Sequence, residues 1–177
     1  MTALPSEAAI KIDAPSEEQR KEMYSFYVAI YESSFALSKK RSVMTAVLDF
    51  QRWSWRVVGI SEEAIKLIAL EDYKKPVGKL ARDHSIPRSV TYSSIFQDSL
   101  LEFDAWWALV WENDQTVLVT HEQHRMGDRG RIFDIDWQLG YFESGGLAGW
   151  KHTKRREGRF IEELVERHAI KIYRRTC

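Results

Sequence analysis

Cysteine is nearly absent from this chain of 177 residues: there is one, Cys177, at the last position. A single thiol cannot close an internal disulfide, and a cysteine-rich zinc site is excluded. A reducing, cytoplasmic setting is the expectation. Long apolar runs are missing as well. None approaches the ~20 residues of a membrane span, and the opening MTALPSEAAIKIDAPSEEQ is acidic with no apolar signal core, so no membrane role is expected. Net charge is also absent, with 26 basic and 26 acidic residues. That balance argues against a protein whose affinity rests on a global positive field. The glycine-rich ESGGLAGW carries no Gly-Lys-Ser/Thr and is no phosphate loop. Internal repeats and low-complexity tracts are lacking too.

What is present is ordinary globular composition, 44% hydrophobic and 29% charged, enough to bury a core. Aromatic residues make up 12%, with seven Trp. They form either a bulky core, the expected use, or a surface of rings for stacking or for a protein partner. Charge is unevenly placed. Residues 1–38 hold three basic and six acidic side chains, residues 150–177 nine and four. Phosphate contacts should therefore involve the C-terminal end.

Residues 1–15, with Pro5 and Pro15, form a lead-in. Residues 16–75 read as a helical region. Ser16 caps a first helix, with Glu17 and Glu18 at its positive end and an apolar stripe of Met23, Phe26, Tyr27, Ile30 and Tyr31. A second helix is expected over residues 41–59, with Val43, Val47, Phe50 and Trp53 inward and Gly59 ending it. Ser61 caps a third, running up to Pro76. Residues 76–177 read as an α+β region. LLEFDAWWALVWEND has helical spacing, TVLVT is a β-branched strand, HEQHRMGDRGR is a short helix or turn, and IFDIDWQLGYF a strand and turn. A last helix is followed by a short basic strand. The fold class is α+β, mostly helical with a small β element in the second half, together one compact domain.

The segment KLARDHSIPRSVTYSSIF, residues 79–96, admits two readings. As a helix-turn-helix, Ala81, Ser85 and Ile86 pack the turn, SVTYSSIF is the recognition helix, and Arg88, Ser89, Thr91 and Tyr92 face bases. Ser85 stands where such a turn usually has glycine.

The second reading joins DHSIPRS to TVLVTHEQHRMGDRG. Together they resemble an HNH, or His-Me finger, endonuclease over residues 78–130: an acidic residue and a histidine ending a strand, then a strand and a short helix bearing imidazoles. The resemblance implies a ββα-metal finger with the Trp-rich helix as an insertion. It implies His84 as the general base, and Asp83 with His124, or less well His121, as ligands of a divalent cation (Mg, Mn or Zn). Asn113 or Asp114 takes the place of the residue that orients the base. As ordinary structure, the Asp-His neighbours form a hydrogen-bonded boundary pair, and HEQH merely puts two imidazoles on one helical face.

WKHTKRREGR gathers Lys151, Lys154, Arg155, Arg156 and Arg159 beside Trp150 and His152. It is either a phosphate-binding patch with a stacking ring or a solvated loop. Arg125, Arg129 and Arg131 extend it if the fold brings them near. Asp134 and Asp136 alternate, as a Mg²⁺ pair or as the polar face of a strand with Phe133, Ile135 and Trp137 inside; the strand face is expected. The leading expectation is a DNA-binding protein with metal-assisted phosphodiester hydrolysis. The alternatives are a non-catalytic helix-turn-helix protein with no cofactor, and a helical adaptor or inhibitor that binds a protein through its aromatic helices.

Overall fold

The computed structural model describes residues 14–74, 76, 78–142 and 156–173. It is an α+β fold, mostly helical, with one four-stranded sheet. Residues 1–13 of the lead-in, the Gly-rich link, Trp150, Lys151, His152, Lys154, Arg155 and Cys177 lie outside the described residues.

Helix α1 (Glu17–Glu32) begins at a capping box: the Gln19 amide donates to Ser16 Oγ at 3.2 Å and the Ser16 amide to Gln19 Oε1 at 2.9 Å. Two of the orphan donors of the first turn are thus satisfied. Met23, Tyr27 and Ile30 make its buried face. With α2 (Leu37–Asp49), α4 (Arg88–Gln97) and α5 (Phe103–Asn113) it encloses an aromatic core. There Tyr27 stacks on the fully buried Trp106 at 5.5 Å and donates from its hydroxyl to the Ile95 carbonyl at 2.9 Å. Those rings are spent on packing rather than offered to a partner.

The helix expected over residues 41–59 is divided. Helix α2 ends at Asp49, Phe50 is 74% exposed, and strand β1 occupies Arg56–Ser61. Val57, Val58 and Ile60 are β-branched and suit a strand. Gly59 is there because β4 (Ile132–Asp134) crosses it closely: a Cβ would lie 2.9 Å from Ile132 Cγ2. It marks a close approach, not a helix end. The β element accordingly draws two of its four strands, β1 and the strand at Leu80–His84, from the first half of the chain. Arg56, fully buried, lies 3.5 Å over the Trp111 ring and donates to the Trp111 and Trp53 carbonyls. Burial pushes it down to about 10, so it stays charged at neutral pH.

Strand β2 spans Leu80–His84 and β3 spans Gln115–Thr120; the sheet order is β2-β3-β1-β4. β1 and β3 are parallel, while β2 and β4 run antiparallel to their neighbours. Ser61 and Thr120, the last residues of the two parallel strands, directly cap α3 (Glu62–Leu70) and α6 (His121–Met126). A second core of Val57, Ile60, Ile65, Ile68, Leu118 and Phe133 packs under α7 (Arg156–Arg167) through Ile161 and Leu164. Helix α3 stops at Leu70 rather than at Pro76, because Asp72 and Tyr73 both take left-handed backbone.

Residues 80–84 are a strand, so the first helix of a helix-turn-helix is not formed. The basic strand expected after the last helix is likewise missing among the described residues. Asp134 lies in β4 with Phe133 and Ile135 buried, and Asp136 caps the short 3₁₀ turn Trp137–Leu139 by accepting from the Gln138 amide. The carboxylates serve strand and turn rather than a paired site.

Candidate functional site

Strands β2 and β3 pair in register from Leu80 with Thr120 to His84 with Thr116, and α6 follows β3 with no loop. Helices α4 and α5 are inserted between the two strands. The unit is therefore β-β-α, and α6 is laid back over β2: the His121 amide donates to the Lys79 carbonyl at 3.0 Å.

Alternation along β2 sends neighbouring side chains to opposite faces. Asp83 faces α6. Its Oδ1 is 3.0 Å from His124 Nδ1, and its Oδ2 accepts from Arg129 Nε at 2.6 Å. Arg129 also donates to the His84 carbonyl at 2.6 Å and to Ser85 Oγ at 2.9 Å, so its fork covers the end of β2. His124 is half exposed, whereas Asp83 and Arg129 are about one-fifth exposed.

The loop holding Arg129 is built. Gly127 caps α6 in the left-handed region, at φ 69°, and Gln123 Nε2 donates to the Arg129 carbonyl at 2.9 Å. Gln123 Oε1 in turn accepts from the Thr120 amide and from Ser61 Oγ, tying together the starts of α6 and α3.

His84 points the other way. Its ring lies 4.3 Å from that of Trp55, and Nε2 is 3.4 Å from Asp114 Oδ1, a long contact for a hydrogen bond. Asp114 caps α5 and is buried. It receives Arg88 Nε at 2.8 Å on Oδ1 and the Trp55 amide at 3.0 Å on Oδ2. Arg88 also pairs with Asp49 and donates to Ser54 Oγ at 2.5 Å. Trp55, at φ 57°, is held in left-handed backbone by that amide bond and by Nε1 donating to Asp49 at 2.6 Å. Burial pushes Asp114 up, but the His84 contact, the Arg88 charge and the Trp55 amide outweigh it and hold the carboxyl below its ordinary range.

Of the sequence-selected residues, Asp83 and His124 are brought together. His84 is on the opposite face of the strand and joins Asp114 instead. His121 lines an open groove with Glu63, Leu67 and Met126, away from Asp83. Arg88, read as a base or phosphate contact, is turned inward with its donors taken by Asp49, Asp114 and Ser54, so it organises the interior rather than a nucleic acid. Arg156 donates to the Leu139 carbonyl at 2.7 Å, and Arg159 is exposed on α7. Sequence reasoning left Asp49, Ser54 and Trp55 out of the site. No local pattern signals them, since each is a partner only through contacts from other elements.

Asp83 and His124 suit a cation in donor type and spacing. Two donors ~2.1 Å from one octahedral ion, at right angles, stand about 3.0 Å apart, as do a carboxylate and imidazole sharing a proton. Among the described residues no third His, Cys, Asp or Glu joins them. That leaves two candidate donors, a carboxylate oxygen and an imidazole nitrogen, the nitrogen being better suited to Zn²⁺ than to Mg²⁺. No family model matches the chain, and no curated protein or solved structure matches it either.

Proposed function

We propose that the chain is a metal-dependent phosphodiesterase acting on DNA, with an HNH-like catalytic unit of β2, β3 and α6. The observation that carries this reading is the contact of Asp83 with His124, 3.0 Å apart in space and 41 residues apart in sequence. Asp83 and His124 would hold a divalent cation, whose chemistry there would be Lewis-acid polarisation of a phosphoryl oxygen. The attacking water gives its proton to a neighbouring solvent water as its oxygen forms the new bond to phosphorus; His84, on the opposite face of β2 with its side chain 8% exposed and set against Asp114, stands away from that cation. The ester P–O bond breaks, and the departing alkoxide is protonated from solvent. The basic segment from Lys151 to Arg159 contacts neighbouring phosphates.

The test is cleavage of single- and double-stranded DNA with Mg²⁺, Mn²⁺ or Zn²⁺ supplied in turn. Wild-type chain should cleave only with metal, and Asp83→Asn and His124→Ala should lose cleavage while still shifting DNA on a gel. DNA shifted with no cleavage under any metal would leave a binding protein only. Neither shift nor cleavage would abandon nucleic acid as the partner and turn attention to a protein ligand.

A further inference from the structure

We propose that Arg129 couples metal binding to phosphodiester binding, making each ligand weak alone and tight together; this rests on the hydrolase reading above. The guanidinium is no passer-by on the surface. It makes three donations to three consecutive residues at the end of β2, at 2.6, 2.6 and 2.9 Å, from a loop pinned by Gln123. One of those acceptors is the carboxylate that must also face the cation.

Asp83 carries a single negative charge, and with Arg129 on Oδ2 and His124 on Oδ1 both its oxygens are engaged. A divalent cation arriving there meets a carboxylate already neutralised and a positive charge a few ångströms off. Like charges that close oppose each other. A phosphodiester reverses the balance. Its two non-bridging oxygens can serve two cations at once, and arginine's planar fork is the side chain best shaped to take one of them. The anion therefore relieves the repulsion between guanidinium and metal, and each ligand raises affinity for the other by the same factor. A site of this design holds metal loosely until substrate is present.

The experiment is Mn²⁺ binding measured by calorimetry, with and without a phosphorothioate oligodeoxythymidylate that resists cleavage. In the wild type the oligonucleotide should tighten Mn²⁺ binding by roughly tenfold or more, within the usual span of such couplings. Arg129→Gln should bind Mn²⁺ alone at least as tightly as the wild type, and its coupling factor should fall well below the wild type's, to the part carried by direct phosphate–metal contact. Arg129→Lys keeps the charge without the fork, should fall between, and carries the test if the glutamine variant does not fold. Coupling unchanged in both variants, or weaker Mn²⁺ binding in Arg129→Gln without oligonucleotide, overturns the inference and leaves the hydrolase reading standing. Mn²⁺ binding that is absent, or that Asp83→Asn does not alter, overturns both.

Discussion

His124 Nδ1 stands 3.0 Å from Asp83 Oδ1, and the two are joined only because β3 returns the chain beside β2 before α6 begins. If both hold one ion, their contributions to catalysis are not independent. Asp83→Asn and His124→Ala should each remove about as much activity as the double variant, since groups acting as a unit lose their effect together. Single-turnover cleavage rates for the three variants decide this, and multiplicative losses would mean separate roles.

Asp114→Asn tests the interior. The substitution leaves the Arg88 guanidinium, 10% exposed, with Asp49 as its remaining carboxylate. Breaking a buried pair from one side costs about 3–5 kcal/mol, with Asp49 placing the expected loss towards the lower end. Urea unfolding followed by tryptophan fluorescence measures it, and a loss near zero would show that the network is not a stabilising one.

The same carboxylate makes stability depend on acid. Asp114 is held below its ordinary range in the fold, so it binds its proton more weakly there than in the unfolded chain. Its contribution is full above about pH 3.9, the unfolded value, and is lost as the pH falls through the lower folded value. Wild-type unfolding free energy should therefore drop more steeply than that of Asp114→Asn below pH 4. Parallel curves would contradict the assignment.

Gly59→Val should destabilise the sheet by about 1–3 kcal/mol through overpacking, because even the first added carbon would lie 2.9 Å from Ile132 Cγ2. Thermal melting reads the effect, and the paired change with Ile132→Ala should recover part of it.

Removing the charge at Lys151, Lys154 and Arg159 together should weaken DNA binding without sequence preference. It should also flatten the dependence of log K on log[salt] by up to about three phosphate equivalents. An unchanged salt slope would exclude the segment from the interface.

Much of the fold was legible in the chain. The capping box at Ser16, the cap at Ser61, the β-branched TVLVT and the helical spacing around Trp106 are signals carried by near neighbours, and each produced its element. The misreading of residues 41–59 has an equally local cause. Three-and-four spacing of Val43, Val47, Phe50 and Trp53 runs across a turn, where helical periodicity has no meaning. The strand beyond it carries β-branched residues of its own and is paired on both sides, with β3 and with β4.

The site divides along the same line. By itself the sequence determined which chemical groups were available, a carboxylate and an imidazole side by side at positions 83 and 84 and a second imidazole at 124. Their residue types and the alternation of a strand follow from covalent structure. Only the tertiary structure decided that Asp83 meets His124 and Arg129 while His84 turns to Asp114, and that Arg88 is an interior cation. Those outcomes depend on which elements pack on each face of β2, and burial and charge pairing across more than 25 residues leave no trace in any short window.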